Sequence, residues 1–140
     1  MTDSSPPQTL DQCRARFAWG KAADGRRLPG KDSDTYRAVA KGAPALIIGS
    51  GLMPTLAFLE SKSKDGAHAR LRSHLCEWLA LRFQTHEEFQ PASSDYVEVM
   101  DRLHRSSSAF YMEATSELLE VLKWIRQYVD AVPEASENSQ

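Results

Sequence analysis

The sequence predicts an all-α fold, a compact bundle of about six helices in a single domain. Apolar residues recur at helical spacing along most of the chain, and no stretch shows the sustained alternation of a strand. The 140 residues are 41% hydrophobic and 26% charged, an ordinary balance for a globular domain. A domain of this length buries roughly 68% of the surface of its unfolded chain, so it needs no disulfide or metal to hold it together.

The domain boundaries follow from composition at the two ends. Residues 1–7 and 133–140 are small, polar and proline-containing, and neither segment can bury enough apolar area to offset its ordering entropy. We therefore expect two disordered tails around a helical domain at residues 8–132.

The first two helices are predicted from capping residues and breakers. Thr9 and Gln12 have the spacing of a capping box, so the first helix should begin near Thr9 and end by Gly25. After a loop rich in Gly and Pro, the cluster at 32–34 is expected to provide the N-cap of the second helix. Pro44 lies inside that helix, where we expect a kink or a break.

The later helices are predicted from glycines and apolar stripes. The segment 49–51 should end the second helix, and a short third helix accommodates Pro54 in its first turn. A fifth helix is expected after residue 95, and Pro133 closes the sixth. The fourth helix, predicted over 67–84, carries Leu71, Leu75, Leu79 and Phe83, and the sixth carries Tyr111, Ala114, Leu118, Leu122, Ile125 and Val129.

The cysteines and the N-terminus indicate a cytoplasmic setting. Cys13 and Cys76 lie on apolar helical faces without a CxxC spacing, so we expect two buried thiols in a reducing compartment. The first nine residues have neither the basic nor the apolar region of a signal peptide. No apolar run approaches the roughly 18 residues of a membrane span, so no membrane association is expected.

No pattern of catalytic or metal-binding residues is present. The four histidines, which we expect to be surface or partly packed residues, form no HExxH motif and no pairing with cysteine at ligand spacing; they are His68, His74, His86 and His104. Glu113, Glu117 and Glu120 have the helical spacing of a solvated face. We therefore predict no enzyme activity, no catalytic residue, no metal and no cofactor. The alternative of a small hydrolase or metal enzyme is rejected because the sequence lacks the metal ligands and nucleophiles that it would need.

The overall charge of the chain does not indicate that it binds nucleic acid. The formal net charge is -2, from 17 Lys+Arg against 19 Asp+Glu. Local groups of Lys and Arg can nevertheless neutralise phosphates without reading bases. From composition alone, a solvated surface that keeps the protein soluble is the better explanation of these residues.

Three segments carry a family resemblance. The first helix contains RARFAWGKA, the middle contains YRAVAKGAPALIIGSGLMPTLAFLESKSK, and the last helix contains YMEATSELLEVLKWIRQYVDA. Their order and spacing resemble the Cmr small-subunit family of type III-B CRISPR effectors, from about Arg14 to Ala131. The resemblance implies a non-catalytic subunit of a ribonucleoprotein complex in antiviral defence. Such a subunit stacks with copies of itself along the inner filament, beside other Cmr subunits, and supports binding of guide RNA and target RNA.

Combined with this resemblance, the basic residues become candidates for phosphate binding. The candidate RNA-binding residues are Arg14, Arg16, Lys21, Lys41, Lys62, Lys123 and Arg126. Trp19 and Phe58 are candidate protein-interface residues, although large aromatic residues more often belong to a core. The alternative function is a helical protein–protein adaptor with no RNA contact, which would expose an apolar patch and show no salt-linked RNA affinity.

Overall fold

A computed structural model describes residues 7–133, and all the regular structure in this range is helical. Six α-helices follow one another: α1 (Leu10–Arg26), α2 (Asp32–Ser50), α3 (Leu52–Ser61), α4 (Gly66–Arg82), α5 (Tyr96–Arg105) and α6 (Ser108–Tyr128), with a 3-10 turn at Glu87–Phe89 before α5. The prediction of an all-α fold with about six helices is confirmed. The two tails that we expected to be disordered lie outside the described residues, apart from Pro7 and Pro133.

Helix α1 begins with the capping box that the sequence predicts. The Thr9 hydroxyl accepts a hydrogen bond from the Gln12 N–H at 3.0 Å, and the Gln12 side chain accepts one from the Thr9 N–H at 2.8 Å. The helix continues to Arg26, so Gly25 lies within it rather than at its end. A Cβ on Gly25 would come within 2.6 Å of Cγ of Tyr36, which means that α1 and α2 approach closely here.

Helix α2 differs from the prediction at its N-cap and at Pro44. Its N-cap is Lys31, which makes no side-chain capping bond, so the prediction that the 32–34 cluster provides the cap is wrong. Asp32 and Asp34 instead lie in the first turn, where the helix dipole favours negative charge. The helix continues through Pro44, so the predicted break is wrong, while the alternative, a kink, stays a prediction. Proline removes only one N–H, and the buried residues Ala43 and Ile47 hold the helix against the core.

One residue joins α2 to α3. Gly51 has φ 102°, a conformation that side chains rarely adopt, and its N–H donates to the Ile47 carbonyl at 2.8 Å. Pro54 lies in the first turn of α3, as predicted. The Tyr111 hydroxyl of α6 accepts a hydrogen bond from the Met53 N–H at 3.0 Å, which fixes the start of α3 against the bundle.

The core lies between α1, α2, α4 and α6. Helix α6 packs most extensively against α1, and α2 packs against both α4 and α6. The predicted apolar stripes of α4 and α6 supply the largest buried groups, including Leu71, Leu75, Trp78, Leu79, Phe83, Leu118, Leu122 and Ile125. Phe89 and Phe110 add a second aromatic group around Phe83, so the short segment between α4 and α5 is also anchored in the core.

The two thiols lie in different environments. Cys76 is buried, and burial raises its pKa to about 12. Cys13 is exposed, so the expectation of two buried thiols is wrong for this residue. The buried stripe of α1 consists of small residues around Ala18 and Ala22, whereas Cys13 lies on the stripe with Leu10 and Phe17 that borders a groove.

Candidate nucleic-acid interface

Three of the seven candidate RNA-binding residues line one groove between α2 and α6. Lys41 comes from α2, and Lys123 and Arg126 come from α6, where they lie three residues apart and so share a face. The groove has a volume of about 460 Å³, and its remaining lining is Pro44, Leu119, Gln127 and Asp130. Because α2 and α6 pack against each other, the core sets the separation of these cations.

An acidic residue of the groove lining, Asp130, engages two cations. The Asp130 carboxylate accepts hydrogen bonds from Arg37 Nε at 2.6 Å and from Lys41 Nζ at 2.5 Å. The bonds from Lys41 and Arg37 lower the pKa of Asp130 to about 2. Arg37 was not among the sequence candidates, although its position four residues before Lys41 places both on one face of α2.

The other two cations of the groove are more accessible. Lys123 is 58% exposed, pairs with Glu120 at 3.3 Å and lies 5.6 Å from the centre of the Trp124 ring. Arg126 is exposed and makes no ion pair with any carboxylate of the described range. These two side chains are therefore available to a ligand in solution at low energetic cost.

A second groove, between α1 and α4, contains Arg16 and Lys21. It has a volume of about 710 Å³, and Leu10, Phe17 and Leu81 give it an apolar lining. Lys21 pairs with Glu77 at 2.6 Å and lies 5.2 Å from the centre of the Phe17 ring, while Arg16 is exposed. These two candidates are thus separated from Lys41, Lys123 and Arg126 and border a surface of different character.

Arg14 is engaged within the fold. Its Nη2 lies 2.5 Å from Oε2 of Glu117, and its Nε donates to Oε1 at 3.2 Å. Trp78 Nε1 donates to the same carboxylate at 3.1 Å, and Arg82 Nε lies 3.3 Å away. Glu117 is only 5% exposed, so the expectation of a solvated acidic face is wrong at this residue. Burial raises the pKa of Glu117, but the bonds from Arg14 and Trp78 outweigh it and leave the pKa below its usual range.

The remaining sequence candidates lie apart from both grooves. Lys62 is exposed at the C-terminal end of α3, where its N–H donates to the Phe58 carbonyl at 3.2 Å. Phe58 is 39% exposed and Trp19 is 44% exposed, with the Trp19 ring edge-on to Tyr128 at 5.0 Å. Neither aromatic residue belongs to the buried core, and their role in a protein interface stays a prediction.

Sequence reasoning missed a polar network around two buried side chains, Tyr36 and His74. Tyr36 Oη lies 2.7 Å from His74 Nδ1, and His74 Nε2 lies 2.8 Å from Oδ2 of Asp24. Arg70 completes it with a bond of 2.7 Å to the same oxygen. His74 is 1% exposed, so the expectation of a surface or partly packed residue is wrong here. Burial lowers the pKa of His74, and its neutral ring accepts from Tyr36 while donating to Asp24. The network joins α1, α2 and α4.

The described residues contain neither a cluster suited to a metal ion nor a helix suited to a membrane. Among residues 7–133, no three His, Cys, Asp or Glu side chains are arranged to hold a metal ion. None of the helices in that range is both long and apolar enough to cross a membrane.

Comparisons with known proteins agree with one another. A crystal structure of a CRISPR-associated Cmr5 family protein from Thermus thermophilus superposes with a TM-score of 0.72 at 24% identity, covering 91% of this chain and 100% of that chain. The "CRISPR system Cmr subunit Cmr5" of the same organism is 26% identical over 127 residues, or 91% of this chain and 98% of the relative. The sequence model described as "CRISPR-associated protein (Cas_Cmr5)" matches residues 10–132, so the chain belongs to the CRISPR-associated Cmr5 family.

Proposed function

We propose that the protein is a non-catalytic subunit of a cytoplasmic Cmr ribonucleoprotein complex, which binds phosphates of guide or target RNA in the groove between α2 and α6. Membership of the Cmr5 family supports the assembly with other Cmr subunits. The observation that carries the RNA contact is the convergence of Lys41, Lys123 and Arg126 on one groove. In the complex, copies of the chain stack along the inner filament and help to accommodate the guide–target duplex in antiviral defence.

The binding chemistry is electrostatic and independent of base sequence. Ammonium and guanidinium groups neutralise phosphates and release condensed counterions, so affinity falls as salt rises. The lining contains Lys41, Lys123 and Arg126 on rigid helices, and these are groups that position a backbone rather than read base edges. The subunit therefore supports RNA of any sequence, while base pairing with the guide supplies specificity.

The RNA contact is tested with a triple variant, Lys41→Ala, Lys123→Ala and Arg126→Ala. We expect lower target-RNA occupancy and a salt slope reduced by up to about three units, since each lost phosphate contact removes roughly one unit. A matched control replaces three exposed cations outside the groove that are not among the candidates: Arg27, Lys31 and Lys64. If the groove variant retains both the occupancy and the salt slope of the unmodified protein, these residues do not bind RNA.

The assembly is tested by a native pull-down of the tagged chain from its own host, with mass spectrometry and RNA extraction on the eluate. We expect other Cmr subunits together with a short RNA of discrete length. Unrelated proteins without RNA would contradict the proposal.

A second candidate function is a helical protein–protein adaptor with no RNA contact. The observation in its favour is the groove between α1 and α4, where Leu10 is 39% exposed and Leu81 is 50% exposed beside Phe17. An adaptor of this kind would recover partner subunits in the pull-down, and its affinity for isolated RNA would be absent at low as well as high salt. A salt titration of RNA binding by the unmodified protein therefore separates the two functions.

A further inference from the structure

The carboxylate of Asp130 binds Arg37 and Lys41 at the α2–α6 groove through the same kind of hydrogen bonds that a phosphate would accept. One oxygen accepts from Arg37 Nε at 2.6 Å, and the other accepts from Lys41 Nζ at 2.5 Å. Carboxylates and phosphates both bind such groups through charge-assisted hydrogen bonds, so one can replace the other on the same donors. A phosphate placed on the donors that Asp130 occupies would lie beside the carboxylate, and repulsion between the two anions makes them compete for Arg37 and Lys41.

We propose that Asp130 is a built-in competitor for RNA phosphate, which occupies Arg37 and Lys41 in the free protein and is displaced when RNA binds. This inference rests on the proposed function of the groove and adds to it a residue that limits affinity. It also assigns a role in RNA binding to Arg37, which becomes available together with Lys41.

The position of Asp130 allows its side chain to leave without disturbing the fold. It follows Val129, the C-cap of α6, and the turn around it is held by the N–H groups of Ala131 and Val132, which both donate to the Tyr128 carbonyl at 2.9 Å. Only the side chain has to move. Asp130 and Arg37 are each close to half exposed, and exposed ion pairs contribute little to stability. A polyanion can therefore displace the carboxylate.

The charge of the groove shows why the competitor matters. The four cations are Arg37, Lys41, Lys123 and Arg126, and they are opposed by Asp130 and Glu120, which leaves a net charge of about +2 at this surface. Neutralising Asp130 raises that charge by one and releases two donors together. Because the pKa of Asp130 lies near 2, the carboxylate stays ionised at any pH at which the protein works, so its effect is constant.

The test measures binding of a fluorescent oligouridine to the full chain by anisotropy over a range of salt. Asp130→Asn keeps the size of the side chain and removes its charge. We expect affinity to rise roughly five-fold at low salt and the salt slope to steepen by up to about one unit. Asp130→Glu, which retains the charge, should stay close to the unmodified protein. Glu87→Gln is the matched control, since Glu87 is exposed outside the groove and its replacement changes the net charge equally.

The possible outcomes distinguish this inference from the proposed function. Equal gains in Asp130→Asn and Glu87→Gln would mean that only net charge matters, which overturns the competitor role. An unchanged affinity in Asp130→Asn, with binding lost in the triple variant of Lys41, Lys123 and Arg126, would overturn it while leaving the groove as the RNA site. If the triple variant binds as well as the unmodified protein, the proposed RNA site fails and the competitor role fails with it.

Discussion

Arg14 and Glu117, 103 residues apart in the sequence, form a two-point ion pair that joins α1 to α6. The carboxylate is 5% exposed and also accepts from Trp78, so this pair belongs to the interior of the bundle. Removing one partner of a buried pair leaves the other charge partly uncompensated, which destabilises more than the pair itself stabilises. A loss of RNA binding on mutation of Arg14 would therefore report on folding before it reported on RNA.

The first prediction concerns this pair. Arg14→Ala should lower the free energy of unfolding by about 2–3 kcal/mol, because Glu117 keeps Arg82 and Trp78 but loses its two shortest contacts to a cation. Urea denaturation followed by circular dichroism measures the change. Arg16→Ala, an exposed neighbour in α1, should stay within about 0.5 kcal/mol. Equal losses of unfolding free energy in the two variants would show that the ion pair does not stabilise the fold.

The second prediction concerns two glycines of the same helix. Gly25→Ala should destabilise by about 1–3 kcal/mol, because its Cβ would overlap the ring of Tyr36 and force the helices apart. Gly20→Ala meets no atom within 4 Å and should stabilise by about 0.5–1 kcal/mol through helix propensity. Thermal melts of the two variants measure both effects. A gain in stability for Gly25→Ala would contradict the close crossing of α1 and α2.

The helices themselves were predictable because local sequence determines them. Thr9 and Gln12 form a capping box by spacing alone, and the stripe through Leu71, Leu75 and Leu79 is buried as its period predicts. The continuation of α2 through Pro44 was not predictable, because it depends on burial of Ala43 and Ile47 against other helices. Local rules give the intrinsic effect of a proline, and tertiary packing decides whether it prevails.

The third prediction is that titration of His74 makes the free energy of unfolding depend on pH. Since burial holds the pKa of His74 below the 6.5 of an unperturbed histidine, the unfolded chain binds this proton more readily than the folded one. The contribution is therefore present above about pH 6.5 and is lost as pH falls through the lower pKa of the folded state. Its slope cannot exceed about 1.4 kcal/mol per pH unit for one proton.

The measurement for His74 compares unfolding free energies of the protein and His74→Gln between about pH 7 and pH 5. A glutamine still offers an acceptor to Tyr36 and a donor to Asp24 but does not titrate. The difference in stability between the two proteins should shrink as pH falls. A constant difference across this range would mean that His74 takes up no proton there.

The fourth prediction concerns the thiols. In the native protein a disulfide reagent should modify Cys13 and leave Cys76 unreacted, because Cys76 is buried and the thiolate is disfavoured at a pKa of about 12. Counting the modified thiols by absorbance should give one per chain, and both after addition of denaturant. Cys13→Ser should abolish the native reaction. Rapid modification of both thiols in native protein would contradict the burial of Cys76.

The grooves and buried polar groups were the least predictable parts of the molecule. The partners of Glu117 and His74 come from distant parts of the chain, so the helical spacing of Glu113, Glu117 and Glu120 could not show that only the middle residue faces inward. The sequence did identify Lys41, Lys123 and Arg126 as candidates. Their assembly into one groove depends on the packing of α2 against α6, which no local pattern encodes.

The single-residue junction at Gly51 has a consequence for changes in chain length. Because this residue caps α2 and starts α3, an inserted residue would change the backbone angles that set the direction of α3 and displace Leu52, Leu56 and Leu59 from their places in the core. The turn at 62–65 between α3 and α4 exposes Lys62 and Lys64, so it can accept insertions before Asp65, the N-cap of α4. A tag or fluorophore loop is therefore better inserted at 62–65, and homologues of altered length should differ there rather than at the α2–α3 corner.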